Sequence, residues 1–421
     1  MNENSINCRL EIDVLNSSLF VLCILVFMKK NTKCLKIWIV LTKNIILRAQ
    51  SISLAMKKLF VYFLICPVQL FCQNITGIIT DSKTNLPIEF ATVYINGTTI
   101  GTISDKNGNF TIGKFSLPCQ MVVSHISYIP IVIPLDENSH LNPGITLNPR
   151  VIELGQVSVK EQNRRKENIK QFKDEFFGVD VWGRNVILKN ENDLIFKTEY
   201  FEENDSNAEL IENQKSFNVE SKAPLKIALP LLGYDLQVDL IKFSKHYNPA
   251  LNSYEINILG YYFFKPFEPN SKIKVNKYNR NRLDAYYNSS QHFCRSLYDK
   301  KLRENGYLVF EFLKNDDPKV QRIRKEFKLD SCLIYNGVEA NITGLKNRNF
   351  FLNYYYNRRG YPINLNNRNE GEKKMSRIYF LYDECIIRKD GTRPGESITF
   401  GGSIALKRIG SYLPSDYYPD Y

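Results

Sequence analysis

The stretch GIITDSKTNLPIEFATVYINGTTIGTISDKNGNFTI, residues 77–112, decides the fold. Short β-branched runs alternate in it with turn clusters. ITGIIT (75–80) reads as a strand and DSKTNLP as a turn. ATVYIN alternates with period two, TIGTIS follows NGT, DKNG turns the chain, and NFTI resumes a strand. Val, Ile, Thr and Tyr suit a pleated, half-buried surface. Gly101 and Gly108 give the backbone freedom that tight turns require. Towards the C-terminus the pattern continues through MVVSHISY, IPIVIPL, GITL and GQVSV. His125 falls inside one of these strand patterns. Short strands at this spacing predict an all-β sandwich or small barrel over residues 73–160.

The same residues carry a resemblance. A Gly near the first strand (Gly77), a Pro-apolar pair (Pro87–Ile88), the run Gly97-Thr98-Thr99-Ile100-Gly101-Thr102 and the spaced Asp105, Gly108 and Phe110 are similar to the carboxypeptidase regulatory-like domain. VVSHISY resembles that family's later strand, with Ser127 where Gly usually precedes Tyr128. The resemblance implies a transthyretin-like β-sandwich of the seven-strand type. It also implies an accessory module, of the sort found on peptidases and at the N-termini of TonB-dependent outer-membrane receptors.

Upstream, MKKLFVYFLICPVQLFCQ (56–73) has the form of a secretory signal: Lys57 and Lys58, an apolar run from Leu59 to Cys66, then Pro67 and a short tail. The apolar run is too short to span a bilayer, which takes about 20 residues. Cleavage is expected near Cys72–Gln73. A lipid anchor on Cys72 is the lesser reading, because Phe71 stands where lipidation sequences carry Gly or Ala. Residues 1–55 are either an N-terminal anchor or an upstream extension ahead of the true start at Met56. Their Asn-, Ile-, Lys- and Leu-rich composition favours the extension. The expected location is the periplasm or the outer membrane, with peripheral membrane association as one form of it.

The chain has a formal net charge of +12, half of it contributed by residues 1–72. Residues 272–303 concentrate the rest: Lys272, Lys274, Lys277, Arg280, Arg282, Arg295, Lys300, Lys301 and Arg303 against Asp284 and Asp299. A basic patch usually means nucleic acid. Export argues against that and leaves an anionic glycan, lipid headgroups or an envelope protein, beside the plain reading of a solvated helix face. Four cysteines follow residue 73, namely Cys119, Cys294, Cys332 and Cys385. None forms C-x-x-C, and their wide spacing reads as buried free thiols.

Residues 161–421 change mode and predict an α+β domain, so the whole is mainly β with some α. Residues 160–168 are polar and make the best linker. In EQNRRKENIKQFKDEFFG, Ile169, Phe172 and Phe176 recur at helical spacing, and Gly178 ends the helix. RNVILK, DLIFKTEYF, KSFNVES and YDLQVDLIKF read as strands. NRNRLDAYYNSSQHFCRSLYDKKLRENGY reads as helical, divided at Ser289–Ser290, since Ser is a good N-cap. DDPKVQRIRKEF (316–327) predicts another helix, with Asp317 as cap and Pro318 in the first position. From CLIYNG onward the signal is β, with hairpins around RKDGTRPGES. PLKIALPLLGYDLQVDLIKF, NILGYYFFKPF and the NRNRLDAYY segment resemble an uncharacterised family of exported Gram-negative proteins, with Tyr278 where that family has Trp and Asn288 where it has Gly.

No catalytic set emerges. The four histidines (His125, His140, His246, His292) show no H-E-x-x-H and no carboxypeptidase zinc spacing. No G-x-S-x-G elbow occurs, although His292 with Ser289, Ser290 and Asp284 or Asp299 is an arrangement that only geometry decides. Asp105 reads as a turn carboxylate. No cofactor or metal is expected. The candidate binding residues are the basic Lys277, Arg280, Arg282 and Arg295, and, within NFFLNYYYNRRGYPINL, Tyr354 and Tyr356 for sugar stacking with Arg358 and Arg359 for anionic groups. The expected role is non-catalytic recognition or docking, with an envelope glycan or peptide hydrolase as the alternative.

Overall fold

The computed structural model describes residues 74–137, 139, 144–150, 164–201, 214–249, 253–312, 324–367 and 371–419. Residues 73–421 pack as one compact unit. The proposed signal segment, residues 1–55, the GQVSV run and His140 lie outside the described residues.

The first seven strands are β1 (Ile75–Asp81), β2 (Thr92–Ile95), β3 (Gly101–Ile103), β4 (Asn109–Ile112), β5 (Cys119–Ser124), β6 (Ile131–Leu135) and β7 (Gly144–Leu147). They form a three-stranded sheet, β4-β1-β7, and a four-stranded sheet, β3-β2-β5-β6. β1 pairs antiparallel with β4 and parallel with β7. Side chains alternate across each strand. Thus Ile79, Val93, Ile95, Phe110, Ile112, Met121, Val123 and Leu147 fill the space between the sheets. His125 follows the last residue of β5 and sits in a turn, not in a strand. Gly108 has φ +75°, and an added Cβ would lie 2.4 Å from the Ile79 carbonyl oxygen, so the turn admits only glycine there.

Next come α1 (Arg165–Phe177), α2 (Val181–Arg184), β8 (Ile187–Leu188), β9 (Leu194–Tyr200), β10 (Gln214–Ser221), β11 (Leu225–Leu229), β12 (Tyr234–Asn248) and β13 (Ser253–Pro266). α1 closes at Gly178 as its sequence predicts. It lays Phe172, Phe176 and Phe177 on the sheet β8-β11-β12-β10-β9, to which β13 adds by pairing with β12. Burying each of these rings stabilises by about 2 kcal/mol. β12 and β13 form a long hairpin with a bulge between Leu240 and Lys242.

The NRNRLDAYY segment gives two helices, α3 (Lys272–Tyr286) and α4 (Ser290–Tyr298). The chain breaks at Asn288 (φ +56°), and the Ser289 hydroxyl accepts the His292 N–H at 3.1 Å as N-cap of α4. The remaining strands are β14 (Tyr307–Phe312), β15 (Arg324–Glu326), β16 (Leu333–Asn336), β17 (Glu339–Thr343), β18 (Phe350–Tyr356), β19 (Glu372–Phe380), β20 (Glu384–Arg388) and β21 (Ile398–Gly402). They form a five-stranded sheet, β15-β14-β18-β19-β21, and a three-stranded sheet, β16-β17-β20. Phe293, Cys294 and Leu297 of α4 join Tyr307, Val309, Phe350, Leu352, Ile378, Ile342 and Ile387 in one core.

Two sequence expectations fail here. The end of the helix predicted over 316–327 is strand: Arg324–Glu326 pairs with Phe310–Phe312 of β14, and that pairing overrides local propensity. RKDGTRPGES does turn at Gly391, where the Arg388 N–H meets the Thr392 carbonyl, but it joins strands of different sheets rather than a hairpin. Cys119, Cys294, Cys332 and Cys385 are free thiols; Cys294 and Cys385 are buried, and Cys119 and Cys332 are partly exposed. Burial pushes the Cys119 thiol up to about 12 and Cys294 to about 11. No helix among the described residues is long and apolar enough to cross a membrane.

Candidate functional site

His292 is the one histidine the sequence set beside hydroxyls and carboxylates, and α4 buries it to 1 % exposure. Its Nδ1 lies 2.8 Å from the Tyr307 hydroxyl and accepts the Asn288 N–H at 3.3 Å. Tyr286, Tyr287, Tyr307 and Tyr354 surround the ring at centroid distances of 5.0–6.0 Å. Asp284 and Asp299 are exposed, and Ser289 is occupied as a helix cap. A Ser-His-Asp arrangement is therefore not assembled here. Burial, helped by the charges of Lys407 and Arg295, drives the His292 pKa down to about 3, so the ring is neutral. Its Nε2 and the Oδ1 of Asn288 are buried without a partner. Asp105 is the turn carboxylate its sequence suggests, accepting the Asn107 and Asn109 N–H groups at 2.8 Å. Among the described residues no group of three His, Cys, Asp or Glu side chains could hold a metal.

The basic run does not form one face. Arg282 donates to the Leu232 carbonyl at 2.8 Å and the Gly233 carbonyl at 3.3 Å, and its guanidinium lies 4.1 Å over the Tyr234 ring. It stabilises the turn between β11 and β12. Arg295 is buried and donates to the carbonyls of Asp390 (2.9 Å), Tyr417 (2.8 Å) and Ser415 (2.8 Å) while covering Tyr418. Both arginines bond backbone carbonyls of their own chain, and Arg282 keeps part of its surface exposed. Lys277 and Arg280 stay exposed on α3.

The aromatic cluster is split by strand alternation. Phe350, Leu352 and Tyr354 face the core, and Tyr356 packs against it. Tyr354 is 1 % exposed and stacks with Tyr356 at 5.9 Å, and the Tyr354 hydroxyl donates to the Gly360 carbonyl. The two tyrosines expected to stack on sugar are thus the inward ones. The other parity carries Phe351 and Tyr355, both partly exposed, and between them Asn353, which is buried at 6 %. Arg358 and Arg359 lie exposed in the following turn, which Asn357 closes by accepting the Arg359 and Tyr361 N–H groups.

Register extends this outward face across the sheet. Phe310, Phe351, Arg377 and Gly401 stand in one row; Leu308, Asn353 and Met375 stand in the next. The Arg377 guanidinium lies 5.1 Å over the Phe351 ring. Gly401 has no side chain, and a Cβ there would meet the Tyr379 ring at 3.5 Å, so Tyr379 lies across the gap. Met375 (55 %) and Tyr379 (38 %) are exposed, with Arg377 between them and Lys373 beyond Met375. None of Phe310, Phe351, Tyr355, Met375 and Tyr379 belongs to a core cluster. A half-open face of aromatic rings with interspersed cations offers apolar stacking area together with fixed hydrogen-bond donors. Sequence inspection found the cluster but chose the wrong parity, because alternation reveals two faces without saying which is covered.

The four-stranded sheet of the sandwich is covered on both sides. Tyr94 and Ser124 point away from the sandwich core and meet the β12–β13 hairpin. Asp239, 2 % exposed, accepts from the Tyr94 hydroxyl (2.6 Å), the Ser124 hydroxyl (2.5 Å) and the Gln237 amide (3.2 Å). Tyr94 stacks on Phe263 at 5.2 Å. The run Gly97–Thr102 plugs into the body. Gly97 N–H donates to the Tyr262 carbonyl (2.7 Å), Thr98 and Phe263 form a parallel bridge, and Asp416 receives the Thr99 N–H and hydroxyl. A Cβ on Gly101 would sit 2.5 Å from the Phe263 ring. None of these contacts was visible in the sequence.

Residues 75–159 match the profile of the CarboxypepD_reg-like domain family. That domain is a non-catalytic binding or regulatory module. No curated protein matches the chain. Among solved structures, a 9R-lipoxygenase from Cyanothece PCC8801 is similar at 11 % identity over 54 % of this chain and 48 % of its own, with a TM-score of 0.16.

Proposed function

We propose, from the premise that residues 75–159 are a CarboxypepD_reg-like domain, that this is an exported, non-catalytic recognition protein of the cell envelope. It holds an anionic glycan on the outward face of the β15-β14-β18-β19-β21 sheet. The observation that carries the reading is the row Phe310–Phe351–Arg377, extended by Tyr379 over Gly401. Aromatic faces take the apolar side of a pyranose ring, and Arg377 and Lys373 meet its carboxylate or phosphate groups. The sandwich serves this face indirectly, as a brace fixed to the β12–β13 hairpin. Export follows the segment beginning at Met56, with the mature chain starting near Gln73.

The test is binding of the purified protein to soluble envelope polysaccharides and peptidoglycan fragments by calorimetry. Phe351→Ala with Tyr379→Ala is expected to weaken binding about 30-fold or more, at about 1 kcal/mol per lost stacking ring. Tyr379→Phe is expected to bind nearly as the parent does. Undiminished binding by the double variant, or cleavage of the glycan by the parent protein, overturns the reading. Recovery of an uncut leader from cells overturns the export part alone.

A further inference from the structure

We infer that the outward face of α3 is a docking surface for an anionic phospholipid bilayer. It is formed by residues other than those of the sheet face and stands independently of the glycan reading.

α3 is a helix with unusually little to hold it. Of its 15 residues only Ala285 and Tyr286 are buried. The side towards the body carries Val275, Tyr278 and Arg282, the last bonded to the Leu232 and Gly233 carbonyls. The opposite side carries Ile273, Lys277 and Arg280 at i, i+4 and i+7, flanked by Lys272 and Asn276, all exposed. Residues at these spacings are neighbours on one face.

The charges on this face are placed against the helix itself. From Lys272 to Arg280 there are four cations and no acid, and the one acid that α3 adds is Asp284, a turn beyond Arg280. The positive end of a helix dipole disfavours cations in the first turn. Lys274–Lys277 and Lys277–Arg280 add like-charge neighbours at i, i+3, which are destabilising. Elsewhere lysines find acids, as in Lys170–Asp174, Lys189–Asp235, Lys197–Glu220 and Lys245–Glu175. Among the described residues no ion pair engages Lys272, Lys274, Lys277 or Arg280. A layer of negative charge laid on this face would relieve all these repulsions together.

Ile273 selects the kind of layer. It is 82 % exposed, the most exposed large apolar side chain among the described residues, and it projects from among the cations. A soluble polyanion gives such a side chain nothing. A bilayer takes it below the phosphates while the lysines remain at headgroup level, which is how basic interfacial helices bind. Arg280 and Lys277 contact phosphate; Lys272 follows; Ile273 inserts.

The experiment is sedimentation of the full chain with vesicles of phosphatidylcholine alone or with phosphatidylglycerol added. Binding is expected only to the anionic vesicles and is expected to fall steeply as salt is raised. Lys277→Glu with Arg280→Glu is expected to weaken it by at least about 30-fold, from about a factor of five per cation removed. Ile273→Ser is expected to weaken it while leaving the salt dependence in place. These side chains are solvent-facing, so thermal melting of each variant checks that the fold persists. Equal binding to neutral vesicles overturns the inference, because it points to the leader. So does parental binding by the charge-reversed variant. Capture of soluble polyphosphate with no vesicle binding also overturns it, and assigns the face to a soluble anion.

Discussion

Lys407 carries its ammonium to the end of α3, where it donates to the carbonyls of Ala285 (2.6 Å), Tyr287 (2.6 Å) and Asp284 (3.2 Å). These are the orphan carbonyls that every helix C-terminus leaves. Burial, with Lys374 adding repulsion, pulls the Lys407 pKa down to about 7. The unfolded chain keeps its proton to about 10.4, so between these values the unfolded state binds more protons and stability rises with pH. Urea midpoints measured from neutral to alkaline pH are expected to show this rise in the parent and lose it in Lys407→Met. That variant is also expected to cost about 1–3 kcal/mol for the three stranded carbonyls. His292 follows the same sign lower down: its contribution is complete above about 6.5 and is lost as the pH falls towards 3. The identities of both residues were plain in the sequence. Their burial was not, because it depends on tyrosines and carbonyls brought from distant segments.

At the scale of elements, α1, α2 and the segment around Gly410 meet backbone to backbone. A Cβ on Gly183 would lie 1.9 Å from the Gly178 carbonyl oxygen, and one on Gly410 would lie 2.8 Å from the Gly183 backbone. Backbone on both sides cannot yield as a side chain does. Gly183→Ala is expected to destabilise by about 3 kcal/mol or more, read as a drop in melting temperature. Gly337→Ala sits in open space at φ +60° and is expected to cost only about 1 kcal/mol. The elements themselves were largely legible. Period-two runs gave β1, β2, β4, β9 and β10, and the Phe172–Phe176 spacing gave α1, because local pattern and tertiary role agree there. The failure at Arg324–Glu326 has the opposite cause: β14 offers an unsatisfied edge, and pairing outweighs propensity.

At the scale of the molecule, the sandwich is not a detached handle. Asp239 links Tyr94, Ser124 and Gln237 across the junction with the body, and Arg150 reaches the Ser221 and Lys222 carbonyls beside it. Arg295 fixes the 415–418 strap that reaches the Gly97–Thr99 turn through Ser415 and Asp416. Burial raises the Asp239 pKa against the pull of its three donors, so its contribution to stability is complete below the ordinary carboxylate value of 3.8 and is lost as pH rises from there through its raised folded value. Asp239→Ala leaves those donors buried and unsatisfied, at a cost of about 3 kcal/mol or more. One cooperative unfolding transition is expected in the parent and two in this variant, the sandwich separating first, as read by calorimetry. A single unchanged transition would show that the junction is not held there.

By itself the sequence determined the alternation of each strand, the turns, the amphipathic helix α1 and the sandwich with its family likeness, since these depend on neighbours within a few residues. The tertiary structure alone decided which parity of NFFLNYYY faces the core, which cations of 272–303 are spent on backbone carbonyls, and what covers the outer face of the sandwich. Those choices are fixed by contacts between residues far apart in the chain, such as Tyr94 with Asp239 and Arg295 with Tyr417. Period and composition read the same whichever face is buried.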